Sequence, residues 1–163
     1  MNERLNASDE EADAVTVRSI YVLTASHQCH ECAEATSVHA LLLRGPFEVE
    51  GYPGVDPAEE GALLMYPSAV PTDVAEAMSA VSAGRWHLDV SRTYGDSYYM
   101  NHCEHCGAKI GDHYLSEPEE AFFPLTEAQG ARILGQRVNG LFRFQAPQLS
   151  MSSWIEEWLS GLR

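Results

Sequence analysis

One lysine, Lys109, and nine scattered arginines are the only fixed cations in a chain of 163 residues that carries 24 acidic side chains. The formal net charge of −14 repels phosphate backbones at neutral pH, which argues against general nucleic-acid binding and favours a basic partner. Long apolar runs are missing too. None approaches the roughly 18 to 20 residues that a membrane helix needs, and the opening MNERLNASDEEADA has no apolar core of a secretory signal. A cytoplasmic protein with no membrane partner is the expectation. The sequence also lacks a phosphate-binding glycine loop, a nucleophile elbow and an HExxH helix, so the commonest signatures of phosphoryl transfer, serine hydrolysis and zinc proteolysis are absent. At 45 % hydrophobic content the chain can build one ordinary core. We expect an acidic, disordered tail over 1–13, where five acids face only Arg4, followed by a single domain over 14–163.

Cysteine is scarce, and its placement is the most informative feature. All four cysteines fall in C-x-x-C pairs, CHEC with Cys29 and Cys32, and CEHC with Cys103 and Cys106. In a chain without an export signal thiols stay reduced, so metal ligation explains the pairs better than disulfides do. Structural zinc takes four tetrahedral ligands, commonly all thiolate, and two C-x-x-C turns supply four with none left over. Gly107 follows the second pair, where a chain bending under a metal often needs positive φ; Ala33 occupies that place after the first. The seventy residues from Ala33 to His102 are a long excursion for one site. Loop-closure entropy grows only logarithmically, so lengthening a loop from about 20 to about 70 residues costs roughly 1 kcal/mol. Zinc binding by thiolate peptides releases roughly 10–16 kcal/mol.

Four thiolates leave no open position for water, which speaks against catalytic zinc. His27, His30, His102 and His105 flank the cysteines and are read as solvated or supporting groups; His39, His87 and His113 receive no role. His102 and Glu104 mimic the H-x-E of zinc deaminases, but Cys103 lies between them and the other pair is upstream.

Along the chain, Val15–Thr24 and Ser37–Arg44 read as partner strands with the first C-x-x-C at their tip, and Gly45 and Pro46 interrupt the second. GYPGVDP at 51–57 forms turns; Asp56, Pro57 and Glu59 favour a short helix to Leu64, against a competing strand over Ala62–Tyr66. Thr72–Ala83 reads as a helix with Thr72 as N-cap, an apolar stripe of Val74, Ala77, Met78 and Val81, and Gly84 at its end. Arg85–Val90 and Asp96–His102 are strands leading to the second pair. Tyr94, Tyr98 and Tyr99 are read as strand residues packing near the metal rather than as a stacking platform. Lys109–Leu115 returns as a strand or begins a helix at Asp112. Thr126 and Gln129 suggest a capping box, weakened by Gly130 and Gly135, and Leu141–Gln145 a late strand. Ser153–Leu162 is an amphipathic helix whose Trp154, Ile155, Trp158, Leu159 and Leu162 dock on the protein's own core.

The stretch YMNHCEHCGAKIGDHYL, Tyr99 to Leu115, resembles the second knuckle of zinc-ribbon-type proteins and is similar to stretches in poorly characterised bacterial proteins. The resemblance implies metal binding and no particular activity. The fold expected is α+β, with zinc-ribbon-like antiparallel hairpins joined by one zinc on Cys29, Cys32, Cys103 and Cys106, a long helical insertion and a C-terminal amphipathic helix. The function expected is a non-enzymatic protein-interaction module, in its sharpest form an inhibitor or immunity-type protein for a basic partner. The rivals are a nucleic-acid or transcription-associated zinc ribbon and, third, a zinc or thiol enzyme.

Overall fold

The computed structural model describes residues 14–49 and 61–161. The expected acidic tail, and the turns and helix start at 51–60, lie outside the described residues. Two antiparallel sheets form an α+β structure. Strand β1 (Val15–Gln28) is its spine, pairing with β2 (Ala35–Arg44) on one side and with β8 (Leu134–Phe144) on the other. Two-residue β3 (Glu48–Val49) continues the β2 edge beyond the Gly45-Pro46 interruption, and β4 (Gly61–Met65) and β9 (Gln148–Ser150) extend the sheet past β2. The strand reading at 62–66 thus prevails over a helix reaching Leu64.

Only three residues link β8 to β9, although these strands lie at opposite ends of the pairing order. So short a link spans at most about 14 Å. The sheet must therefore coil until its two ends approach, which makes it a partly closed barrel.

The second sheet, β5 (Trp86–Ser91), β6 (Asp96–His102) and β7 (Lys109–Ile110), pairs in that order. Among the described residues, the excursion between the cysteine pairs contains one α-helix and five strands. The expected helical insertion is therefore mainly β, because its β-branched and aromatic segments found strand partners.

β1 is buried on both faces, which is why Ser19 to Leu23 is a continuous inaccessible run rather than an alternation. Ile20 and Val22 join Leu41, Leu43 and Leu64 on one face, covered by α1 (Thr72–Ser82) through Val74 and Met78. Tyr21 and Leu23 join Val38, Leu42 and Leu63 on the other, under α4 (Ser153–Ser160) with Trp154, Ile155 and Leu159. Burying each such aliphatic chain contributes roughly 1.5–3 kcal/mol. A register shift between Val17 and Ser19 moves the inward set of β1 from odd positions, Val15 and Val17, to even ones.

Thr72 is not the N-cap of α1. Pro71 holds that place, with no side-chain cap, and Thr72 begins the first turn. The helix ends as expected, with Ala83 and Gly84 both at positive φ. Two short helices, α2 (Asp112–Leu115) and α3 (Glu127–Gly130), bracket the segment between β7 and β8. At α3, Thr126 Oγ1 accepts from the Gln129 amide at 3.1 Å, but Gln129 Oε1 accepts from Leu125 rather than Thr126, so the capping box is only half formed. Among the described residues, no helix is long and apolar enough to cross a membrane.

Candidate metal centre

The first C-x-x-C occupies the tip of the β1–β2 hairpin and the second the tip of β6–β7. The two knuckles are built alike. In each, the first cysteine's amide donates to the carbonyl five residues on, Cys29 to Glu34 and Cys103 to Ala108, both at 2.9 Å. The residue after the second cysteine donates back to the first, Ala33 to Cys29 at 2.9 Å and Gly107 to Cys103 at 3.0 Å. The amides of Glu31 and His105 donate to the Sγ of Cys29 and Cys103, each at 3.4 Å. Both turns need a left-handed residue in the same place, Ala33 at φ 63° and Gly107 at φ 75°.

The four Sγ atoms lie within 4.8 Å of one another, with Cys29–Cys106 and Cys32–Cys103 each at 3.7 Å. A disulfide would need about 2.05 Å. A tetrahedral ion with metal–sulfur bonds of about 2.3 Å separates its sulfurs by about 3.8 Å, so the donor set fits a thiolate-bound metal. All four cysteines predicted as ligands are brought together.

Crowding also shows in their acidity. Burial alone would push the Cys103 thiol up, but the amides of Cys106 and His105 and the adjoining thiols outweigh it and hold the group at about 6. At Cys32 the Glu34 backbone acts to lower the value; burial and hydrogen bonds to the other three thiols overcome it and push the group up to about 12. Neighbouring sulfurs thus compete for negative charge, and a cation at their centre removes that competition.

The flanking histidines are committed elsewhere. His102 Nδ1 meets the Arg85 carbonyl at 3.0 Å and Nε2 meets Asp89 at 2.8 Å, the latter contact holding the Asp89 carboxyl down at about 2 with help from the Val90 amide. His105 Nε2 meets the Ala35 carbonyl at 2.9 Å, His27 faces Glu120 at 3.6 Å, and His30 stacks on Tyr114 with ring centres 4.6 Å apart.

Two residues without a motif to announce them tie distant segments together near the cysteine cluster. Buried Asn101 of β6 accepts from the His39 amide of β2 at 2.8 Å and donates to the His39 carbonyl at 2.9 Å, so one side chain imitates a strand. Asp112 Oδ2 accepts from the Tyr66 amide at 2.7 Å. Burial pushes its carboxyl up to about 7, against the lowering effect of that amide.

A cleft of about 530 Å³ opens next to the first knuckle, lined by Tyr66, Tyr94, Tyr98, Tyr114, His30 and Arg92, among others. Tyr66 stacks on Tyr94 at 4.3 Å, and Tyr98 meets both rings edge-on. Of the three tyrosines singled out in the sequence, Tyr98 packs in β6 and Tyr94 lies in the β5–β6 turn, while Tyr99 stacks on Trp86 away from the cleft. Comparison with family models, curated proteins and solved structures finds no match to this chain.

Proposed function

We propose that the chain is a zinc-stabilised, non-catalytic binding module for a protein partner. The observation that carries this reading is the closed set of four cysteine sulfurs joining two hairpin tips. Zinc is the ion of choice for an all-thiolate tetrahedral shell, and with four protein ligands it has no position left for water or substrate. When bound, it would supply cohesion between the two sheets rather than Lewis-acid chemistry. Cys29 and Cys32 would hold it from the six-stranded sheet, Cys103 and Cys106 from the three-stranded one. The ribbon-like resemblance of Tyr99 to Leu115 belongs to this reading, with a β-rich body in place of a compact ribbon.

The partner face we assign is the tyrosine cleft. Tyr94 and Tyr114 keep 39 % and 46 % of their surface in solvent, and aromatic rings at a concave site are efficient contacts for arginine and lysine side chains. The net charge of −14 favours encounter with a basic protein, which is the inhibitor or immunity-type form of the proposal. Its test is a titration with an arginine-rich peptide alongside affinity capture from the native host. Wild type should bind the peptide and recover a basic protein, and Tyr114→Ala should weaken both at least tenfold. Recovery of no basic protein at any salt concentration would overturn the reading. A low-salt gel shift addresses the nucleic-acid rival, and thiol titration of the metal-loaded protein addresses a thiol enzyme, since a closed centre leaves no reactive cysteine.

A further inference from the structure

Three of the arginines that look scattered in the sequence converge in space. Arg18 of β1, Arg44 of β2 and Arg137 of β8 line one pocket of about 180 Å³, with Thr16, Ser19 and Glu48 completing its wall. The pairing register accounts for the convergence. Ser19 sits opposite Arg44 on one side and Asn139 on the other, and Arg137 is opposite Tyr21, one step along the same face. Directly opposed side chains start about 4.5–5.5 Å apart and diagonal ones about 7–8 Å, so long guanidinium arms reach a common centre over Ser19. Arg18 enters from the register shift between Val17 and Ser19, the kind of irregularity that re-aims a side chain.

Two of the three heads are held in place by neutral groups. Arg137 Nε donates to Ser19 Oγ at 3.1 Å and to Asn139 Oδ1 at 3.0 Å, leaving both terminal nitrogens of its fork without a partner among the described residues. Arg44 Nη1 donates to the Tyr21 hydroxyl at 3.3 Å, and its guanidinium lies 6.0 Å from the centre of that ring. None of the three forms an ion pair with a carboxylate among the described residues, although Glu48 shares the rim. The stretch that carries Arg137 is itself free of acids: from Ala128 to Ile155 there are three arginines and no Asp or Glu.

We propose that this pocket binds the dianionic phosphoryl group of a phosphate monoester. Three guanidiniums in no ion pair with a carboxylate among the described residues offer bidentate donors to several oxygens of one small anion, the arrangement for which arginine is better suited than lysine. A monoester fits better than a polyanionic backbone, because the pocket is small and the surrounding surface is strongly acidic. The site is independent of the metal centre. Arg18 lies near the start of β1 and Cys29 just past its end, eleven residues or roughly 35 Å of extended chain apart.

The test is a phosphorus NMR titration of the full-length, metal-loaded protein with inorganic phosphate, methyl phosphate and dimethyl phosphate. Phosphate and methyl phosphate should saturate a single site, with dimethyl phosphate at least tenfold weaker. Arg18→Gln and Arg137→Gln, both changes of exposed residues, should each weaken binding at least tenfold while metal content stays unchanged. Arg132→Gln, the same loss of charge on the same acid-free stretch but toward the Thr24 end of β8, should leave binding as in wild type. Absence of saturable binding, equal binding of dimethyl phosphate, or an Arg132→Gln effect as large as that of Arg18→Gln would each overturn the proposal. Because metal content is read separately, loss of phosphate binding is not confused with failure of the zinc reading.

Discussion

Replacing Ala33 by glycine should make this protein more stable, and replacing Gly107 by alanine should make it less so by a similar amount. Both residues hold the left-handed conformation that lets a knuckle turn under its sulfurs, at φ 63° and 75°. A residue with a Cβ loses roughly 1–2 kcal/mol in that conformation, whereas glycine gives up about 0.5–1 kcal/mol more backbone freedom on folding. The difference leaves Ala33→Gly roughly 0.5–1 kcal/mol more stable. A Cβ built at Gly107 meets nothing within 4 Å, so Gly107→Ala tests the backbone term without a clash. For a chain of this size 1 kcal/mol moves the melting temperature by about 2–4 °C. Urea unfolding of the zinc-loaded proteins, followed by tryptophan fluorescence, reads both changes, and the double variant should fall near wild type. A neutral or destabilising Ala33→Gly with metal still bound would refute the claim that the two knuckles share one backbone requirement.

Cys106→Ser should drop the metal content below one per chain and remove more than about 4 kcal/mol of stability, a fraction of the roughly 10–16 kcal/mol that thiolate zinc sites release; an unchanged melting point with full metal content would contradict it. Asn101→Ala leaves the buried His39 amide and carbonyl without their partner and should cost about 2–4 kcal/mol in denaturant unfolding, with zinc retained. Asp112 is an acid whose folded value, about 7, exceeds its ordinary 3.8. Its contribution is therefore full below about pH 4 and lost as pH rises through 7, amounting to at most about 4 kcal/mol for a residue that is half-buried by surface. Unfolding curves between pH 5 and 8.5 should slope downward for wild type and flatten in Asp112→Asn; parallel slopes would defeat this account.

The cysteine cluster was legible because four cysteines in two pairs leave few alternatives, and their convergence needs no knowledge of the intervening fold. The hairpin at 15–44 was legible from β-branched runs on either side of a turn, and α1 from an apolar stripe at helical spacing. β8 was recognised only over its last residues. Gly135 read as weakening a helix after Thr126, yet a Cβ there would come within 2.3 Å of Trp158, so the bare backbone is what the indole packs against. That demand comes from α4, far along the chain, and no local pattern encodes it. Asn101 and Asp112 were missed for a similar reason: each satisfies backbone groups far away in the sequence, at His39 in β2 and at Tyr66 just past β4. The arginine pocket was invisible because its members come from residues 18, 44 and 137, united only by strand register.

The order of the chain gives the spine strand an uneven history. β2 is ready to pair as soon as the first hairpin is made, but Asn139, opposite Ser19 across the other edge, comes 120 residues later. Cys29 likewise waits for Cys106, 77 residues on. At roughly 5–20 residues per second, a ribosome leaves a two-sulfur half-chelator open for on the order of 4–15 s. During that interval the nascent chain offers a bidentate thiol pair to whatever soft cation or oxidant it meets, and the four-sulfur set is complete only when the second knuckle emerges.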